Sequence, residues 1–182
     1  MAATIREFLP TIIFLAKFLG IYLVASLLYG AYVTSFEPGP DPATRAVAQQ
    51  TSVALGVCGW ATSAHDNGRK PTTEVAYRNR DILSIYEGCN GINVMVIFVA
   101  FLLAFGPMNR RLWWYAPLGL LAIHLCNLLR IAVLFWVSLN EPDFMYFLHK
   151  YFFTAALYVV TLTLWVIWVR MYLRPKVVKS IV

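Results

Sequence analysis

With 182 residues, 60% of them hydrophobic and 13% charged, and a mean hydropathy of +0.65, the chain is far from a soluble domain, which is about 45–50% apolar and about 25% charged. That balance excludes an ordinary soluble globule and implies an all-α integral membrane protein, a single membrane domain over residues 1–182. The net charge of +6 comes largely from the end of the chain (Arg170, Arg174, Lys176, Lys179), which reads as membrane topology rather than nucleic-acid binding.

A spanning helix needs about 20 mainly apolar residues. Phe8 to Val33 supplies the first, interrupted by Lys17. It lacks a sizeable basic leader and ends in bulky Tyr29 and Tyr32, so a cleavable signal peptide is not expected. A polar loop, 34–91, follows. Within it Ala43–Ala64 reads as a partly helical, interfacial segment. Glu74–Tyr77 and Ile82–Tyr86 are β-like runs around Asn79-Arg80-Asp81 that could form a short β-hairpin. Three further spans are expected over 92–107, 112–139 and 151–169, making about four transmembrane helices. Pro107 and Asn109-Arg110-Arg111 separate the second from the third, and Asn140-Glu141-Pro142-Asp143 the third from the fourth.

Cytoplasmic loops collect Lys and Arg. If the N-terminus is inside, the inner segments Met1–Glu7, Pro107–Arg111 and Arg170–Val182 hold seven basic residues against one acid, Glu7. The outer segments, Thr34–Gly91 and Asn140–Lys150, hold six basic and eight acidic residues. Both termini are therefore expected in the cytoplasm, with 34–91 extracytoplasmic. Cys89, Arg130 and His149 then converge on the outer leaflet.

Each of these three residues has a plain structural alternative. Arg130 lies about nine residues from the outer end of its span, roughly 13 Å at 1.5 Å per residue, so it could snorkel to interfacial water or pair with a carboxylate. The span interiors offer no acid, however, and an arginine at that depth marks a functional position. Asn127, three residues earlier on the same face, can hold the guanidinium or a substrate carbonyl. Cys89 sits where the polar loop meets an apolar helix, wet enough to react. Helix N-termini lower thiol pKa values, and Gly88 and Gly91 leave the backbone open to another chain. It could equally be a small buried hydrophobe, or pair with Cys58. Three cysteines leave at least one free or bonded to another chain. His149, at the outer start of the last span, is a neutral base or a polar anchor. Cys126 reads as packing, His124 points away from Arg130, and no spacing of Cys and His suggests a metal site. Trp113, Trp114 and Tyr115 read as an aromatic belt, and Glu87 as solvated.

Cys89-Asn90-Gly91 before a membrane helix, Asn127-Leu128-Leu129-Arg130 in a later one, and His149 at the outer start of another resemble the exosortase/archaeosortase family of multi-pass membrane transpeptidases. The similarity covers most of Tyr86 to Arg170. Phe18-Leu19-Gly20-Ile21-Tyr22, the shortness of the chain and Glu87-Gly88-Cys89-Asn90-Gly91-Ile92 are similar to the short F-type branch. The resemblance implies a membrane-embedded cysteine protease or transpeptidase of the bacterial plasma (inner) membrane. Its active site would face the extracytoplasmic side. It would cleave a C-terminal sorting signal of exported proteins and transfer the acyl product to an acceptor. By the same resemblance Cys89 is the nucleophile, His149 the general acid/base and Arg130 the oxyanion stabiliser, supported by Asn127, Asn90 and Gly91. The implied partners are exported substrates with a C-terminal membrane anchor, the lipid bilayer and an acceptor molecule, with room for a small membrane partner protein. No cofactor, metal or nucleic acid is implied. The alternatives are a non-enzymatic assembly or binding component of an export or surface-polysaccharide system, and a transporter using Arg130 in an anion path. Four spans without paired broken helices favour the transporter least.

Overall fold

The computed structural model describes residues 2–106 and 108–178, with side chains for 7–106 and 108–172. Pro107 and Lys179, expected to break a helix and to charge the inner face, lie outside the described residues. The chain is 75% helical. It runs α1 (Ala2–Thr34), α2 (Pro42–Val57), β1 (Thr62–Asp66), β2 (Thr73–Tyr77), β3 (Arg80–Ile85), a 3₁₀ turn (Glu87–Cys89), α3 (Ile92–Phe105), α4 (Arg110–Asn140), α5 (Pro142–Phe147), a π turn (Leu148–Phe152) and α6 (Phe153–Val178).

Among the described residues three helical runs are long and apolar enough to cross a membrane: Glu7–Thr34, Arg110–Asn140 and Pro142–Tyr172. The fourth apolar helix, α3, has only 14 residues, or about 21 Å at 1.5 Å per residue, against a hydrocarbon core of about 30 Å. The last run starts at Pro142, well before the residue 151 expected from hydropathy. Pro142 at the first helical position starts α5, and the π turn carries the helix on into α6. Asn109 starts α4, its side chain accepting from the N–H groups of Arg111 (3.0 Å) and Leu112 (3.2 Å).

The segment between α1 and α3 is an ordered cap of one helix and a three-stranded antiparallel sheet in the order β1-β2-β3. Asp41 caps α2 through the N–H groups of Ala43 and Thr44. The β2–β3 turn is Arg78-Asn79, both at positive φ (50° and 61°), the two-residue geometry that follows the twist of paired strands. Buried Glu74 on β2 accepts from Asn67, Thr72 and Ser84. Those hydrogen bonds outweigh its desolvation and hold the carboxyl below its usual range.

Two apolar cores result. One joins α2, the sheet and the last third of α4 through Val47, Leu55, Val75, Leu83, Ile85, Ile131, Leu134 and Phe135, and it includes Cys89. The Trp60 ring seals it, edge-on to Tyr77 and Phe135. The other lies between α3, α4 and α6 around Phe98, Leu102, Tyr115, Ile123 and Trp168. Tyr115 therefore leaves the expected aromatic belt: it is buried, and its hydroxyl donates to the Leu164 carbonyl at 2.6 Å. Trp113 and Trp114 stay exposed. Helix α1 packs along α3 and turns a ladder of apolar side chains, Leu15, Leu19, Leu23 and Leu27 among them, outward.

Candidate active site at the Cys89 turn

Cys89 closes the 3₁₀ turn, its N–H bonded to the Tyr86 carbonyl at 2.8 Å. The turn is held from three sides. Asn90 is 1% exposed, and its Nδ2 donates to the Tyr29 hydroxyl of α1 (2.6 Å) and to Thr44 Oγ1 of α2 (3.1 Å). Its Oδ1 accepts from Ile92 N–H at 3.0 Å, serving the first turn of α3. Thr44 in turn bonds Asp41. Asn90 is thus a strut: both Nδ2 protons are committed to α1 and α2 and its Oδ1 accepts from the first turn of α3. Gly91 adopts φ 84°, a left-handed conformation that glycine tolerates without steric cost. The Asn127 side chain lies against its α-carbon. Asn127 Nδ2 donates to the Cys89 carbonyl at 2.9 Å, so α4 grips the turn directly.

The glycines therefore do not leave the backbone open as expected. Asn127 covers Gly91, and the Tyr86 ring lies over Gly88, where an added Cβ would sit 2.3 Å from Cε2.

Cys89, Arg130 and His149, from the turn, α4 and the π turn, line one cavity of about 270 Å³. Ile82–Tyr86 of the β3 segment, Ile131, Leu134 and Met145 complete the lining. Among the described residues no carboxylate lines it. Arg130 is 8% exposed; among the described residues its guanidinium has no ion-pair partner, and its Nε makes no hydrogen bond. His149 Nδ1 and Asn127 Oδ1 are likewise buried and unpartnered. Buried polar groups are normally satisfied, so three orphans in and beside one cavity mark a place that accepts something. His149 sits seven residues into a continuous helical run and not at its N-terminus, because Pro142 starts the helix earlier. Single π turns of this kind occur often at functional sites.

Burial pushes the Cys89 thiol up from its ordinary value. The Arg130 guanidinium, the Tyr86 hydroxyl and the Tyr86 backbone hold it down part of the way, while Glu87 pushes it further up. Desolvation outweighs the lowering expected from a helix N-terminus, because the sulfur is packed into the apolar core. Tyr86 responds reciprocally: the nearby Cys89 sulfur raises its phenol. Tyr86 is the residue that the sequence reading missed. The signal was an aromatic three residues before the cysteine, at the same polarity boundary.

The remaining candidates lie elsewhere. His124 Nε2 is 2.7 Å from Gln50 Oε1, and His65 is 3.3 Å from Asp81. Cys58, Cys89 and Cys126 are all free thiols, Cys58 exposed at the end of α2. Among the described residues no group of three His, Cys, Asp or Glu could hold a metal ion. Glu87 is half-buried rather than fully solvated. Comparison with protein-family profiles, curated proteins and solved structures finds no match to this chain.

Proposed function

We propose that the protein is a membrane cysteine peptidase or transpeptidase acting on the C-terminal anchors of exported proteins, as its resemblance to exosortases suggests. One observation carries this reading: Cys89, a buried arginine with no acid and a histidine whose buried Nδ1 has no partner line a single cavity. A buried unpaired guanidinium is costly. The cost makes sense if Arg130 waits for negative charge that develops only during reaction.

In this scheme His149 takes the Cys89 proton and the thiolate attacks the scissile carbonyl. Arg130 faces the resulting oxyanion. As the C–N bond breaks, His149 gives the proton to the leaving amine, and the anchor departs. The thioester then passes to an acceptor amine, hydroxyl or water, which returns the thiol. The same reading takes α3 as a short second span of four, and the basic inner segments support both termini in the cytoplasm and the cavity at the outer face of a bacterial inner membrane.

The test is intact mass spectrometry of the parent protein, quenched in acid and purified from its native membranes. An adduct on Cys89 that hydroxylamine releases, and that Cys89→Ala lacks, supports a thioester. An unmodified Cys89, with normal C-terminal processing of exported proteins in the Cys89→Ala strain, overturns the scheme.

A further inference from the structure

Five consecutive residues, Ile82 to Tyr86, line the Cys89 cavity. Successive side chains of a strand point to opposite faces, so five in a row can border one space only along the strand's edge, where the main chain is presented. β3 is an edge strand, paired with β2 alone. Among the described residues its other edge makes no backbone hydrogen bond. Proteins usually guard such edges with charge or proline. Arg80 and Asp81 begin the strand, but Ile82-Leu83-Ser84-Ile85-Tyr86 carries neither. The register slips between Val75↔Leu83 and Ala76↔Asp81, so Ile82 is an extra residue on β3. A bulge bends a strand and re-aims a side chain, and here it lies on the cavity wall.

We propose that the β3 edge binds the segment of the substrate preceding the scissile bond as an added β-strand. This mode of recognition rests on the thiol chemistry proposed above and gives it a substrate form: an extended, uncharged polypeptide stretch. Main-chain hydrogen bonds to residues 82–86 supply affinity and register. The edge offers about 16 Å at about 3.3 Å per residue. It leads into the 3₁₀ turn, so a strand laid along it delivers its end to the Cys89 sulfur. Alternate side chains of the guest meet Ile131, Leu134 and Met145, which favours apolar residues there.

The experiment uses the full-length protein in detergent micelles with acetyl-Val-Ala-Val-Ala vinyl sulfone and its four backbone N-methyl isomers. The Cys89 sulfur adds to the vinyl carbon, and the thiol proton ends on the carbon beside the sulfone. Mass spectrometry follows the rate, with iodoacetamide as a reagent that needs no strand. The expected result is a period of two: methylation at alternate positions slows labelling about tenfold or more, and the intervening positions change little. Amide exchange at 82–86 slows after peptide labelling and not after iodoacetamide. Equal rates for all isomers overturn the proposal, as does labelling by iodoacetamide with none by the peptides. No labelling by iodoacetamide overturns the thiol reading itself, and this inference with it.

Discussion

Asn127 Nδ2 donates to the carbonyl of Cys89 across 2.9 Å, so the helix that carries Arg130 also holds the backbone of the thiol turn. The two groups are one turn apart on α4, and a shift of that helix moves both together. Asn127 is fully buried. Asn127→Leu keeps the volume and removes the donor, leaving the Cys89 carbonyl buried without this partner. A loss of about 1–3 kcal/mol is expected. Thermal unfolding in detergent checks it, and the rate of Cys89 alkylation should change in the same variant because the turn loses its register.

Gly91 meets the same side chain from below. At φ 84° any L-residue carries a steric cost of roughly 1–2 kcal/mol, and a Cβ there would press on Asn127 at 3.2 Å. Gly91→Ala should destabilise the protein by at least as much as Asn127→Leu. In a double variant the two losses should be less than additive, because they disturb one contact. Additive losses in unfolding experiments would show that the two residues act independently.

The two largest influences on the Cys89 thiol oppose each other, burial raising it and Arg130 lowering it. Arg130→Gln removes the lowering charge, so the pH midpoint of iodoacetamide labelling should move upward, and Arg130→Lys should stay closer to the parent. Under the proposed scheme Arg130→Gln also lowers substrate processing by about 10²–10³-fold. The stability consequence has a definite sign. The folded thiol is raised, so the folded state holds its proton more tightly than the unfolded chain. Stability is full below the ordinary thiol range and falls as pH rises through and above it. Cys89→Ala should flatten that alkaline decline in pH-dependent unfolding.

Helix α4 is legible in the sequence as the apolar run 112–139, whereas the Asn109 cap that starts it at Arg110 comes from the structure. The grouping of Cys89, Arg130 and His149 is legible through charge asymmetry and through the motifs that resemble exosortases, neither of which gives distances. Three features escaped. The break between α4 and the last run falls at Asn140–Pro142 as expected, but Pro142 also starts a helix, so hydropathy alone begins the last span at residue 151 and leaves His149 at its end. Strand β1 is short and polar, Thr-Ser-Ala-His-Asp, and shows no periodicity without its partner. Asn90 enters the sequence reading as a supporting residue, through the Cys89-Asn90-Gly91 motif. Its role as a strut depends on Tyr29 and Thr44, 61 and 46 residues away, and no local pattern carries that information.

Helix packing below the site depends on one small residue. A Cβ at Gly119 would lie 2.2 Å from the Phe98 ring, and Phe98 is wholly buried, so it has nowhere to go. Gly119→Ala should separate α3 from α4 at a cost of about 1–3 kcal/mol, the usual range for overpacking. A compensating Phe98→Leu should recover much of the loss. Unfolding of the two single variants and the pair measures that coupling.

Tyr86 provides a test in which the same chemistry is removed by two routes. Its hydroxyl helps hold the Cys89 thiol down. Tyr86→Phe deletes the hydroxyl, so the labelling midpoint of Cys89 should rise. Gly88→Ala leaves the tyrosine intact but occupies the space of its ring, with a Cβ 2.3 Å from Cε2. Tyr86 is 42% exposed, so the ring can swing toward solvent and the fold should lose little stability. If the hydroxyl acts on the sulfur, Gly88→Ala should reproduce the shift of Tyr86→Phe, and the double variant should go no further. A Gly88→Ala protein that labels like the parent would mean that the hydroxyl does not tune the thiol. Measuring the pH profile in all three variants, with unfolding temperature as a control, separates that outcome from a general loss of structure.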